Sequence, residues 1–263
     1  MQQSSRHTDL PPATALWSAF ASTGLGLLLW LGIGTALLLT RGGLLGNLLA
    51  WQKLTILTGI VTTLLGTPLI LSRALQPAWR PRMLIGTLIT LLIGVALWVM
   101  LTRQAPTDAG VLSVSGAALC IAATLSVLCL AASFPVAEER ASLLAPLLLC
   151  SALLSGAAVL FALLSLKWPG YHLAAAPGPS LMLLAAMNGA LLLLWWNSRG
   201  GLSPIWEQRW RWFVLELSLL MPILLIGLSF YWPQLSHIGW TLIAISIFAG
   251  TCIEHYRLMT EAD

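Results

Sequence analysis

Polar residues interrupt this chain only at wide intervals, and between them run long stretches of Leu, Ala, Val, Ile and Gly. These runs predict eight spans, at 16–39, 54–71, 83–101, 111–134, 143–166, 181–196, 212–231 and 238–253. A bilayer core about 30 Å thick is crossed by roughly 20 apolar residues in a helix. Only helices and closed barrels satisfy every backbone group there, and unbroken apolarity lacks the in/out alternation of a barrel strand. The pattern therefore predicts an all-α integral membrane protein, a bundle of eight transmembrane helices with short loops. A polar N-terminal tail, 1–13, precedes a single transmembrane domain, 14–259. The first apolar run is longer than a signal-peptide core and lacks a clear small-residue cleavage site, so it reads as an uncleaved span. The longest connections, 167–180 and 197–211, leave no room for a soluble domain, and any chemistry in water would belong to a partner.

Residues inside the runs refine this picture. Pro68, Pro146 and Pro222 are expected to bend the spans that hold them. Gly24, Gly26, Gly32 and Gly34, and the group Ser151, Ser155, Gly156 and Ala157, suit close approach of helix backbones in lipid. Trp51, Trp79, Trp168, Trp195, Trp196, Trp206, Trp210, Trp232 and Trp240 fall near span ends, where an indole favours the headgroup level. Trp30, midway along the first span, reads as a packing or lipid-contact residue rather than the wall of a ligand cleft.

Composition agrees with the pattern: 58% of the 263 residues are apolar and 8% are charged, a balance no soluble domain reaches. The net charge of +4 reports loop orientation and points to no nucleic-acid partner. An even number of spans puts both termini on one side. That side holds Arg6, Arg73, Arg80, Arg82, Arg140, Arg199, Arg209, Arg211 and Arg257, against Arg41, Lys53, Arg103 and Lys167 opposite. The imbalance favours cytoplasmic termini. Cys120, Cys129, Cys150 and Cys252 lie within apolar spans without metal-ligand spacing and read as small hydrophobes, with no metal site implied.

Ionisable groups at membrane depth are costly and mark function by default. Arg73, Glu216, Glu254 and His255 qualify, with Asn188 as a neutral addition, and the eight-span order places the four ionisable ones toward one membrane face. Together they suit a quinol headgroup, which needs an acceptor for a hydroxyl proton, a donor to hold an oxygen and an apolar slot for its tail. The competing reading is that Arg73 and Glu254 snorkel to the headgroups and that Glu216 pairs with Arg209 or Arg211. Haem is disfavoured, because His7, His172, His237 and His255 supply no facing pair within spans. Gly227-Leu228-Ser229-Phe230 lacks the second Gly of a rhomboid-type nucleophile motif. No acidic pair for a prenyl diphosphate and no phosphate-cradling loop occur.

Three stretches, LWSAFASTGLGLLLWLGIG at 16–34, LLGTPLILSRAL at 64–75 and AGTCIEHYRLM at 249–259, resemble the membrane anchor subunit family of dimethyl sulfoxide reductase. The likeness runs in outline over residues 14–259, and its most particular parts are the LGTP turn and the ending from Glu254 to Arg257. It implies a multi-pass subunit of the bacterial inner membrane that has no cofactor of its own. It also implies two partners, a molybdopterin catalytic subunit and an iron-sulfur electron-transfer subunit, and the oxidation of menaquinol in anaerobic respiration. The family's second span carries His-Leu-Gly-x-Pro with an Arg two residues on. Here Leu64 and Ile70 hold the His and Arg positions, and Arg73 is the nearest cation. The resemblance implies periplasmic termini, opposite to the Lys/Arg count. A small permease-like transporter remains the alternative, although no inverted repeat or midplane polar pair supports one. A purely structural assembly partner for another membrane complex is a third.

Overall fold

The computed structural model describes residues 12–39, 45–72, 75–103, 108–136, 138–167, 177–198, 209–231 and 236–260. Leu- and Ala-rich runs satisfy their backbone internally, and among the described residues they form helices and no strand. The helices are α1 (Pro12–Leu39), α2 (Leu45–Gly66), α3 (Pro68–Leu71), α4 (Arg80–Thr102), α5 (Ala109–Ser133), α6 (Glu138–Lys167), α7 (Pro177–Asn197), α8 (Arg209–Leu215), α9 (Met221–Tyr231) and α10 (Ser236–Thr260). They make eight helices long and apolar enough to cross a membrane. α2 with α3 forms the second span, and α8 with α9 the seventh. The protein is thus an all-α, multi-pass membrane protein of eight spans; most boundaries fall within a few residues of those the apolar runs predict, but α2 begins nine residues before 54 and α10 runs seven residues past 253, which brings Glu254 and His255 inside the last helix.

The three prolines act differently. Pro68 follows a turn at Thr67 and opens α3, so the second span ends in a broken helix. Pro146 sits within α6, which continues through it. Pro222 follows a π-turn, Glu216–Leu220, in which the Met221 N–H bonds the Glu216 carbonyl. Proline lacks the N–H that would bond the carbonyl four residues back, and a π-turn just before it absorbs the mismatch.

α1 and α6 form the centre. In each, 67% of the apolar window lies inside the bundle, against 28% for the third and seventh spans. α1 packs on α2, α5, α6 and α10, and α6 packs on α1, α5, α7 and α10. Their crossing is a backbone contact: a Cβ on Gly26 would collide with the Ala152 carbonyl, and one on Gly156 with the backbone of Gly26 and Leu27. Gly24 meets Thr63 of α2 and Gly32 meets Gly116 and Cys120 of α5, while Gly34 faces open space. Close-approach packing therefore holds for three of these four α1 glycines. α4 turns Leu84, Ile85, Leu88, Ile89 and Leu92 outward, as a lipid-facing helix does.

Tryptophan departs from the headgroup expectation. Trp195, Trp196 and Trp240 are all buried in the bundle, Trp240 packing edge-on against Phe161. Trp79 and Trp210 are half-exposed, each beneath an arginine: Arg82 lies 4.6 Å above Trp79, and Arg257 4.9 Å above Trp210. Trp168, Trp206, Trp232 and the side chain of Trp51 lie outside the described residues. Trp30 is a packing residue, its indole N–H donating to the Leu153 carbonyl of α6 at 2.9 Å.

Candidate functional site

The last turns of α10 carry the most deeply buried ionisable pair among the described residues, Glu254 at 2% exposure and His255 at 0%. Glu254 lies six residues, about 9 Å of helix rise, before the helix end at Thr260. Consecutive residues leave a helix about 100° apart, and these two accordingly face different neighbours. Glu254 turns to α6 and α7, where the Ser151 hydroxyl donates to its Oε2 at 3.4 Å and Asn188 stands against the same carboxyl group. His255 turns to α1 and the end of α5. Its Nδ1 lies 2.8 Å from the Ser18 hydroxyl, and Phe134 meets its ring edge-to-face at 6.0 Å between centroids. Glu254 Oε1 and His255 Nε2 meet no hydrogen-bond partner among the described residues.

Glu254 itself borders an opening, whereas His255, fully buried, touches Phe134, which lines another. Phe134, beside His255, also lines a cavity of about 360 Å³ bounded by Gln76, Trp79, Ala131, Val136 and Leu144. Its floor is the segment linking the second and third spans. There the Gln76 N–H bonds the Ser133 carbonyl at 2.8 Å, and its side-chain amide bonds the Phe134 carbonyl at 3.1 Å. Arg80 holds the same segment from the other side, donating twice to the Leu75 carbonyl at 3.2 and 3.3 Å. The lining is apolar apart from the Gln76 amide and the Trp79 indole. The volume falls within the roughly 300–1,000 Å³ of small-molecule sites. Glu254 instead borders a narrow crevice with Trp195, Trp196, Trp210 and Arg257.

The four ionisable residues expected to share one cleft are thus distributed. Glu254 and His255 come together in sequence but face different neighbours, about 100° apart around α10. Glu216 is exposed. Its neighbours Leu217 and Ser218 are the residues that pack on Gly250 of α10, which leaves Glu216 on the outer surface of the π-turn, outside the buried cluster. Arg73 lies outside the described residues. The LGTP turn is a packing element: Gly66 sits on the backbone of Ala21, Leu69 and Ile70 are buried in the core, and Leu64 is 49% exposed on the outside of α2.

Ser18, Ser151 and Phe134 were not among the candidates read from the sequence. A signal existed for the serines: Ser18 and Ser22, and Ser151 and Ser155, stand four apart, so each pair marks one face of its helix. All four are buried. Among the described residues no group of three or more His, Cys, Asp or Glu is placed to hold a metal ion. The four cysteines are free thiols, Cys150 buried and the others half-buried.

Comparison with protein-family models, with curated proteins and with solved structures gives no match to this chain.

Proposed function

We propose that this chain is the membrane anchor subunit of a molybdopterin oxidoreductase complex, and that it binds and oxidises menaquinol for an iron-sulfur partner subunit. The observation that carries the reading is the cavity bounded by Gln76, Trp79 and Phe134, with the buried His255 in edge-to-face contact with Phe134. A quinol ring fits such a place. Its hydroxyl needs an acceptor, and with Nδ1–H donating to Ser18, the imidazole Nε2 has a free lone pair. Apolar walls suit the ring and tail, and the Gln76 amide and Trp79 indole in the lining offer polar contacts. Oxidation releases two electrons and two protons, and the electrons pass to the partner's iron-sulfur clusters. The resemblance of 16–34, 64–75 and 249–259 to the dimethyl sulfoxide reductase anchors supports the same reading, with His255 in place of the second-span histidine that Leu64 replaces.

The transporter alternative draws on the two interrupted spans, at Thr67 and at Glu216–Leu220. The break at Thr67 lies near the end of its span, whereas Glu216–Leu220 falls at the middle of Arg209–Leu228, the depth at which discontinuous helices of transporters bind their solutes. The anchor reading is favoured instead by the cavity beside Phe134 and by the resemblance of the three stretches.

The test is purification through a C-terminal tag from native membranes. An iron-sulfur protein and a molybdopterin protein are expected to co-purify, and a fluorescent quinone-site inhibitor is expected to be quenched on binding. His255→Ala should abolish quenching while the complex still assembles. A tagged chain that isolates alone, or unaltered quenching in His255→Ala, would overturn the reading.

A further inference from the structure

Glu254 has a second neighbourhood that the quinol reading does not use. Its carboxyl lines a crevice of about 10 Å³ together with Leu192, Trp195, Trp196, Trp210, Val214 and Arg257. That volume is close to what a single water requires. Glu254 and Arg257 stand three apart and so share a face of α10, and Arg257, half-exposed in its last turn, sits over the Trp210 ring at 4.9 Å. The crevice thus runs from a buried carboxyl to a cation at the end of the bundle where α1 begins and α10 ends. Inside, Ser151 and Asn188 hold one side of the carboxyl, and Oε1 has no partner among the described residues.

We infer that Glu254 is a proton-exchange site, open by way of this crevice to the aqueous phase on the side of the termini and closed to the opposite side. The O–H bond of the carboxyl breaks as its proton passes to a water oxygen in the crevice, and the reverse step returns it. No oxidant or co-reactant is needed. Closure on the inner side follows from the packing: beyond Ser151 and Asn188, α6 and α7 join α10 in a dry core of Leu154, Ala157, Ala158, Leu181, Ala185, Ile243 and Ile247. The titratable and charged groups around the carboxyl are His255 and Arg257 on α10, Arg211 on α8, stacked over Trp196 and Trp210, and the Cys150 thiol on α6. Arg257 lines the crevice, and Arg211 stacks on Trp196 and Trp210 of its wall.

The exchange stands without any quinol or partner subunit, and its test is made on the full chain alone in lipid. Infrared difference spectra isolate the Glu254 carboxyl C=O stretch as the component lost in Glu254→Gln. Should that variant fail to fold, the shifted band of Glu254→Asp makes the same assignment. The component is expected to titrate with pH and to shift in heavy water within the mixing time. Trp210→Ala, which widens the mouth, should speed exchange several-fold where exchange is resolved in the cold, and Leu192→Trp, which fills the crevice, should slow it several-fold. In vesicles captured through a C-terminal tag, so that the termini face outward, the component should follow a step in outer pH before inner pH changes. A band that neither titrates nor exchanges over hours, exchange unmoved by both substitutions, or a response to inner pH first would each overturn the assignment. None of these results bears on inhibitor quenching, so this inference and the quinol reading fail separately.

Discussion

Ser18 and His255 are separated by almost the whole chain, yet their contact at 2.8 Å ties the first span to the last at a depth where neither finds water. A buried polar atom without a partner costs about 1–3 kcal/mol. Ser18→Ala is therefore expected to lower the stability of the isolated protein by that order, read as a lower unfolding temperature in detergent. Ser18→Thr, which keeps the hydroxyl, should recover part of the loss. His255→Phe fills the same space but leaves the Ser18 hydroxyl without this partner, so it should destabilise by a similar order to Ser18→Ala, and it alone should abolish inhibitor binding. That split separates the structural role of the imidazole from its proposed role as acceptor.

At the scale of the helices, the crossing of α1 over α6 governs where every polar group ends up. Gly26 and Gly156 permit backbone contact, and any side chain there forces the helices apart. Gly156→Leu is expected to cost roughly 1–3 kcal/mol or more, and to part Ser151 from Glu254. A broadened or void-volume profile in size-exclusion chromatography would show it; a monodisperse profile at wild-type yield would count against the crossing. Gly34→Ala, at a position facing open space, should leave the profile unchanged. The π-turn before Pro222 yields a separate expectation. Pro222→Ala restores an N–H for the Ser218 carbonyl and lets the segment relax to α-helix, which rotates Glu216 relative to α10. The change is read directly from an experimental structure of the variant.

Taken whole, the described residues place a cation-rich end opposite a sparsely charged one: Arg80, Arg82, Arg209, Arg211 and Arg257 lie at the end that holds the helix termini Pro12 and Thr260, and Lys53 and Arg103 lie toward the other. The positive-inside rule favours a cytoplasmic location for that end, whereas the resemblance to the anchor family implies the reverse. A C-terminal reporter active only after export decides between them, and the Lys/Arg distribution predicts no reporter activity. An active reporter would place the cavity beside Phe134 and the Glu254 crevice on the exported side.

The number of spans and their ends were legible in the amino-acid order alone, because hydrocarbon thickness demands a run of about 20 apolar residues whatever the neighbours are. Glu254 and His255 were legible as candidates for the same local reason, the cost of an ionisable group in lipid. Which groups meet was not. A helix apolar on all sides carries no stripe to say which face turns inward, so Glu216 and Glu254 looked equivalent although one is exposed and the other buried. Likewise Trp195 and Trp196 sit at a span end by sequence, but packing against α8 and α10 buries them. Those rotations are set by close contacts between distant segments, Gly26 on Ala152 and Gly66 on Ala21. Only the folded bundle places Ser18 on His255 and Ser151 on Glu254, and only there do the two residues, adjacent in the chain, meet different helices around α10.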